Sequence, residues 1–383
     1  MRDTGQAALE LLSQRYRSGR GPGAAPAGSA VVGCVGNVIP EEVIVAAGCV
    51  PLQVAPAPGG SDGDASRFME DSVPREWRSV FGQILAGTWS PAKLIVVGRD
   101  YHVLYYYLKE VVRLGLGQQL PPLHVCDLIP DSGPAADAYN DREMAALTGR
   151  LARVAGRPVT AEAIAAAVNA ANRRRAAQQE VLELRRAGAL SGAQAMEVLG
   201  ARYLMPGDAY MEALGALLAG PPGSLPADAP TRPRLVAVTA ERLYHTRLHE
   251  TAEAAGATIA AELDWWGSAG VDDQIDVADG PLSAVAAHYR TGVYSPQLPR
   301  LERQRMLLAA ADGAGADGVL FYLPPSDEEL GWDVPAFTAA LDGKGIPALV
   351  IRHDVLDDVG QADARGQLVS WLSGLGARLE VTA

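Results

Sequence analysis

Short, uninterrupted apolar runs alternate with amphipathic stretches along most of this chain. Runs rich in Val, Ile and Leu, bounded by Gly, Pro or charged residues, are typical of strands buried on both faces of a parallel sheet. Four such runs precede residue 130 and four follow residue 230. The pattern predicts strands at Ala30–Val35, Val50–Val54, Lys93–Gly98, Leu123–Asp127, Leu235–Thr239, Thr258–Ala261, Gly318–Tyr322 and Ala348–Ile351.

The regions outside these strands divide the chain into four parts. Residues 1–29 combine an amphipathic helix with a linker rich in Gly and Pro, and residues 141–230 are mostly helical before a second Pro-rich linker. Residues 30–140 and 231–383 each alternate strands with helices, which favours a parallel sheet covered on both faces. We therefore predict an α/β fold with two Rossmann- or flavodoxin-like parallel-sheet lobes joined by a helical segment.

Length and charge exclude several classes of protein. A chain of 383 residues is long enough for two cores, and its net charge of −12 argues against a nucleic-acid surface. No apolar run reaches the roughly 20 residues of a membrane helix, and the N-terminus has no signal-peptide pattern. We expect a cytoplasmic protein without a membrane or nucleic-acid partner.

Three local motifs resemble functional sites but are better explained as ordinary structural features. Gly313–Gly318 has the GxGxxG spacing but precedes a strand, which favours a turn over a phosphate loop. His245 and His249 stand four residues apart beside Glu250, a spacing that more often marks a solvated helix face than a metal site. The run Arg173–Arg175 points around a helix, so most of its members are expected to be solvated.

The segment Gly33–Pro51 (GCVGNVIPEEVIVAAGCVP) combines a strand, a loop, Pro-x-Glu and an apolar helix that ends in Ala-Ala-Gly. This order resembles the opening signature of the 2-hydroxyacyl-CoA dehydratase and benzoyl-CoA reductase family. The similarity spans almost the whole chain in the family's order. Its further pieces are Ile95–Tyr107, Thr160–Arg186, Ala316–Val319, Gly345–Pro347 and Gly366–Leu368.

The resemblance implies dimers of two related subunits, each with two flavodoxin-like lobes around a cleft. In that family a 4Fe-4S cluster held by three cysteines contacts the thioester of a 2-hydroxyacyl-CoA. An ATP-driven activator delivers one electron, and the resulting ketyl radical expels the hydroxyl group. Thiolates are needed because soft sulfur ligands hold iron clusters at low potential.

The chain departs from the family at all three cluster ligands, where Gly36, Arg99 and Ser326 replace cysteines. We therefore expect no cofactor on this chain. Its three cysteines, Cys34, Cys49 and Cys126, are interpreted as small core residues, with a relocated cluster as the alternative.

Arg99 offers a fixed positive charge where the family keeps its cluster, which suits a carboxylate, phosphate or thioester oxyanion. The alternative for Arg99 is a salt bridge that fills the vacated space, and for His102 a structural role. The predicted catalytic residues are Arg99, Asp100, His102 and Ser326. The predicted substrate-binding residues are Gly36, Asn37, Glu41, Tyr101 and Asp327, although Glu41 also suits the positive end of its helix dipole.

Three functions remain open at this point. The first is a cluster-free subunit that forms a heterodimer with a homologous cysteine-bearing subunit. The second is a non-redox enzyme, alone as a homodimer or in a heteromer, that acts on an acyl-CoA or another small anion by elimination (as a lyase), hydration or acyl transfer. The third possibility is a catalytically inert binding or scaffold protein.

Overall fold

A computed structural model describes residues 2–56, 62–116, 120–221, 231–239, 243–271, 273–278, 280–325, 327 and 329–382 of the chain. Its strands form two four-stranded sheets in which all neighbouring strands are parallel. Helices separate the strands along the sequence, so the predicted α/β class with two parallel-sheet lobes is confirmed.

The first lobe begins at residue 31, after helix α1 (Arg2–Ser18). Its elements are β1 (Val31–Val35), α2 (Glu41–Ala46), β2 (Val50–Gln53), α3 (Arg75–Leu85), β3 (Leu94–Gly98), α4 (His102–Arg113) and β4 (Leu123–Cys126). The strand order is β2-β1-β3-β4. Val32 and Cys34 belong to one core and Val31 and Val35 to another, because side chains alternate along a strand. Both faces are covered, and this is why the strand is apolar at every position.

Four helices connect the lobes: α5 (Pro134–Ala155), α6 (Ala161–Arg186), α7 (Gly192–Ala201) and α8 (Gly207–Ala219). Thr160 caps α6, and Ser191 with Gln194 forms a capping box on α7, which satisfies amide groups that have no partner within a helix. Helix α1 packs against α7 and α8. The hydroxyl of its Tyr16 donates to the Leu243 carbonyl at 2.5 Å, so α1 is fixed to the second lobe.

The second lobe repeats the strand order of the first, as β6-β5-β7-β8. Its elements are β5 (Arg234–Thr239), α9 (Arg247–Ala254), β6 (Thr258–Leu263), α10 (Pro281–Ala287), α11 (Arg300–Ala314), β7 (Gly318–Tyr322), α12 (Leu330–Asp342), β8 (Ala348–Ile351) and α13 (Asp358–Thr382). Gly315 ends α11 with φ 57°, so the GxGxxG spacing is indeed a helix-to-strand turn.

The two lobes share a core. Ile275, Val285 and Tyr289 follow β6 in sequence but pack against α2, α5 and α6 in the core of the first lobe. Asn172 of α6 fixes the segment that follows β6, because its side chain donates a hydrogen bond to the carbonyl of Ile275 and accepts one from its amide, each at 2.9 Å. Within the described part of the chain, no helix is both long and apolar enough to cross a membrane.

Candidate functional site

In both sheets the strand order reverses beside the first strand, between β1 and β3 and between β5 and β7. Ligands of open parallel sheets bind at such points, beyond the carboxyl ends of the strands. The edge formed by β1 and β3 is called here the first edge, and the edge formed by β5 and β7 the second edge.

At the first edge, the carboxylate of Asp100 occupies the space between the two strand ends. Asp100 is buried, and its Oδ2 accepts a hydrogen bond from the amide of Asn37 at 3.0 Å. A Cβ atom on Gly36 would lie 2.4 Å from Asp100 Oδ1, and one on Gly98 would lie 2.5 Å from the same atom. Gly36 also has φ 98°, which side chains rarely adopt. Both positions therefore require glycine.

Asn37 connects this edge to the other lobe. Its side-chain amide donates to the Tyr294 carbonyl, and its Oδ1 is buried with no hydrogen-bond partner among the described residues. Gln53 connects the same lobe to the helical segment, because its backbone amide donates to the carbonyl of Tyr203, between α7 and α8, at 2.9 Å. The predicted residues Gly36, Asn37 and Asp100 are thus in direct contact with one another.

Arg99 and His102 point elsewhere. Arg99 lies 3.6 Å from Asp127 at the end of β4, beside a recess of about 10 Å³, roughly the space of a single water molecule. The His102 ring is exposed, and its Nδ1 lies 2.9 Å from the Arg99 carbonyl. Arg99 therefore has the salt bridge that was its alternative interpretation, although its partner is Asp127.

Tyr101 points into the first lobe. Its hydroxyl donates to Glu76 Oε1 at 2.5 Å, and its ring lies 4.9 Å from that of Trp77. Asp327 has a structural contact, because it accepts hydrogen bonds from the amides of Leu330 at 3.0 Å and Gly331 at 2.9 Å and so caps α12. Ser326 lies outside the described residues.

Glu41 and its neighbour Glu42 face α6. Glu41 lies 3.7 Å from Arg174 and 3.5 Å from Arg202, whereas Glu42 forms a fully buried pair with Arg175 at 2.8 Å. Burial alone would raise the pKa of Glu42, but the charges of Arg175 and Arg174 and its hydrogen bonds hold that pKa below its usual range. The expectation that most of this arginine run is solvated is therefore wrong.

These positions do not fit a cysteine-held cluster. Gly36 and Arg99 supply no thiolate, and the Asp100 carboxylate fills the space that a side chain at position 36 would need. The three cysteines are buried and free, and burial raises the pKa of each thiol, which disfavours the thiolate form that binds metal. No group of three or more His, Cys, Asp or Glu residues that could hold a metal ion occurs in the described part of the chain.

The second edge is open. Two adjoining cavities, of about 300 and 500 Å³, lie beyond the ends of β5, β7 and β8, between the start of α3 and the end of α1. They share Arg75, Tyr244, His245 and Leu356, and together they form what is called here the basic cleft. A volume of this size is typical of small-molecule sites.

The basic cleft is lined by five arginines and three acids. The arginines come from both lobes and from α1, and they are Arg17, Arg20, Arg75, Arg78 and Arg247; the acids are Asp71, Glu250 and Asp354. Arg75, which lines both cavities, is about half exposed and lies 3.7 Å from Asp354, a distance too long for a tight pair. Arg17 is paired with Glu197 at 2.5 Å, and Arg78 with Asp62 and Asp71 at 3.1 and 2.9 Å, so the positive charge that faces the cleft comes mainly from Arg20, Arg75 and Arg247.

His245 lines this cleft and Asp264 is buried behind its wall, and the sequence did not single out either as catalytic. Burial lowers the pKa of His245 to about 3, helped by His249, Arg20 and Arg247, so its imidazole is neutral at pH 7. Burial raises the pKa of Asp264 to about 7, against its hydrogen bonds from the amides of Trp266 and Leu243.

Asp264 follows β6 directly and accepts a hydrogen bond from the amide of Leu243. Leu243 in turn lines the cleft. The signal available in the sequence was an acidic residue placed just after a strand. His249, expected on a solvated face, is instead fully buried with its Nε2 2.6 Å from Glu262. The solvated-face expectation for the histidine pair is therefore wrong at His249.

The fold and its edges define a class: a two-lobed parallel α/β protein with a polar cleft between the lobes. A sequence profile of the 2-hydroxyglutaryl-CoA dehydratase D-component family matches residues 37–368, and the chain belongs to this family. No curated protein matches the chain significantly.

Proposed function

We propose that this protein is a cluster-free component of a dehydratase-type system that binds an acyl thioester or a similar small anion in the basic cleft. In this proposal it acts in the cytoplasm beside a homologous, cysteine-bearing subunit that performs the redox step. The family is named for the D-component of 2-hydroxyglutaryl-CoA dehydratase, which is one component of a larger enzyme system.

The observation that carries the proposal is the lining of the basic cleft. Arg75 and Arg78 of the first lobe meet Arg247 of the second lobe and Arg20 of the N-terminal segment around one opening. Guanidinium groups bind phosphate and carboxylate oxygens through paired, charge-assisted hydrogen bonds. Arg75, loosely paired and shared by both cavities, is the residue best placed to bind an incoming anion.

The first edge supports a role without a cluster. Asp100 fills the space between Gly36 and Gly98, and the neighbouring recess is too small for a ligand. Asn37 then holds the lobes together through Tyr294, and Asp100 positions Asn37, while Arg99 and His102 remain available for contact with a partner subunit.

A non-redox lyase is the second candidate, and Asp264 favours it. A carboxyl group whose pKa is raised to about 7 can give and take a proton near neutral pH. It lies directly behind Leu243 in the cleft wall, and the neutral imidazole of His245 lines the same space. This candidate requires catalytic turnover by the chain alone.

Calorimetric titration of the purified chain with CoA and acyl-CoA thioesters tests the proposed binding. We expect Arg75→Met to weaken binding about tenfold, because a charge-assisted hydrogen bond contributes about 1.5–3 kcal/mol. Arg113→Met is the matched control, since Arg113 is exposed and, among the described residues, its ion pair is with Glu110 at the far end of α4. The absence of thioester binding to the wild-type chain would favour the inert scaffold.

Co-purification and metal analysis distinguish the component from the lyase. A cluster-free component should co-purify with a homologous cysteine-bearing subunit, with iron and acid-labile sulfide only in that partner. A stable homodimer that converts a hydroxyacyl thioester alone, and loses turnover in Asp264→Asn, would support the lyase instead. Stoichiometric iron and sulfide on the isolated chain would contradict both.

A further inference from the structure

A second opening, separate from the basic cleft, lies along the outer edge of the second sheet. It is a groove of about 450 Å³ between the edge strand β6 and helix α11, and it shares no lining residue with the two cavities of the cleft. Its floor follows α11 from Arg305 to Ala314, which corresponds to a length of about 13 Å at the rise of an α-helix.

The long walls of this groove are apolar and consist mostly of alanine side chains, with one methionine. Strand β6 contributes Ala260 and Ala261, and α11 contributes Met306, Ala309 and Ala310. Larger residues at these positions would close the space between the helix and the strand. The result is a narrow aliphatic channel whose walls an alkyl chain can fill by van der Waals contact.

One end of the groove is basic. Arg186 and Arg234 lie there together with the carboxyl end of α11. The Nε of Arg234 donates to the Ala314 carbonyl at 2.8 Å, and none of the described residues accepts a hydrogen bond from its two terminal nitrogens. Burial, together with the charges of Arg185 and Arg186, lowers the pKa of Arg234. The guanidinium group of Arg234 is thus half-buried and lies near two further arginines, Arg185 and Arg186.

Two acids outside the lining lie at this end: Glu183 pairs with Arg186 at 2.6 Å, and Asp317 accepts from the backbone amide of Arg234 at 2.8 Å, so the Arg234 guanidinium is the group left to bind an anion. The acids that line the groove itself do not reach this guanidinium. The carboxylate of Glu262 is bound by both terminal nitrogens of Arg185, at 2.6 and 3.0 Å, and by His249 and Ser268. Asp273 is exposed and follows Val271, beyond the end of β6. The groove therefore has a cationic end, an aliphatic middle and a polar far end.

We propose that this groove binds an aliphatic carboxylate, with the carboxylate paired to Arg234 and the alkyl chain lying between β6 and α11. The planar fork of a guanidinium group matches a carboxylate in a bidentate pair, and its low exposure to water strengthens that pair. The site is independent of the basic cleft and does not depend on the function proposed for the cleft.

Titration calorimetry with octanoate tests the site, with octanol and octylamine as probes of equal chain length. We expect octanoate to bind, octanol to bind at least tenfold more weakly and octylamine not to bind. Arg234→Met should weaken octanoate binding about tenfold or more through loss of the ion pair. Ala309→Trp should abolish binding by filling the channel, and because Ala309 is exposed this variant leaves the core intact.

Two controls make the outcome specific. Arg113→Met, which removes an exposed arginine outside the groove, and Arg75→Met, which alters the basic cleft, should both leave octanoate binding unchanged. Melting midpoints of all variants confirm that they are folded. The proposal is overturned if hexanoate, octanoate and decanoate all fail to bind, or if binding survives both Arg234→Met and Ala309→Trp.

Discussion

The two sheets have the same strand order, but the edge of the first is filled by a side chain and the edge of the second is open. At the first edge a buried carboxylate lies against two glycines and leaves a recess of about 10 Å³. At the second edge, cavities of about 300 and 500 Å³ open among arginines. The topology determines where a site can form, since both edges lie at a reversal of strand order. Side chains contributed from distant parts of the chain decide whether that position is filled or open.

The largest expected effect comes from the buried ion pair between Glu42 of α2 and Arg175 of α6. Arg175→Met leaves the Glu42 carboxylate buried without its partner, so the free energy of unfolding at pH 7 should fall by about 3–5 kcal/mol. Chemical denaturation measures this loss. Arg173→Met removes an exposed arginine from the same helix and should change stability by less than about 0.5 kcal/mol.

The pH dependence of this loss is a further check. The pKa of Glu42 is lowered in the folded state, so the contribution of the pair is present above the unfolded pKa. It is lost as the pH falls through the lowered pKa. The difference between wild type and Arg175→Met should therefore shrink in acid, and a constant difference down to pH 2 would contradict the pairing.

Asp264 gives the second edge an opposite pH response. Its folded pKa of about 7 lies above its ordinary value of 3.8, so its contribution to stability is fully present below that ordinary value and is lost as the pH rises through 7. Asp264→Asn removes this dependence. Relative to the variant, the wild type should lose about 4 kcal/mol between pH 4 and pH 8, measured by denaturation at each pH. If the free energy of unfolding of the two proteins changes with pH in the same way, the raised pKa of Asp264 is contradicted.

Gly36→Ala tests whether the first edge is filled. A methyl group would lie 2.4 Å from Asp100 Oδ1 on a residue with φ 98°, and strain and overpacking should together cost about 2–3 kcal/mol. Gly207→Ala is the matched control, because an added Cβ there meets nothing within 4 Å. An equal effect of the two substitutions on the urea midpoint would show that the space around Gly36 is open.

The smallest expected effect concerns Asp327, a predicted substrate-binding residue that caps α12. Asp327→Ala should lower stability by about 1 kcal/mol through loss of the cap, whereas Asp327→Asn keeps an acceptor and should cost less. Thermal melts measure both. If Asp327 also binds a ligand, both variants will weaken thioester binding, which the structural role alone does not predict.

The strands were predictable because their signal is local. All eight predicted strands lie within a few residues of the observed ones, since a strand covered on both faces must be apolar at nearly every position. The Pro-Glu-Glu start of α2 and the Thr160 cap of α6 were readable for the same reason. The family resemblance also follows from local motifs in order, and the profile match over residues 37–368 confirms it.

The functional residues were less predictable because their roles depend on distant contacts. Nothing near Arg175 in sequence indicates that it is buried against Glu42, and nothing near Asp264 indicates Leu243 as its partner. Arg75 and Arg247 stand far apart along the chain and meet only because α3 and α9 converge on one opening.

The sequence by itself determined the two parallel sheets, the absence of cysteines at Gly36, Arg99 and Ser326, and the family. Only the tertiary structure decided which edge is filled and which is open. The physical reason is that periodicity and capping act over a few residues, whereas the volume and charge of a cleft are set by side chains from separate elements. Asp100 fills one edge through contacts within the first lobe, and five arginines line the other edge only once the two lobes and the N-terminal segment have packed together.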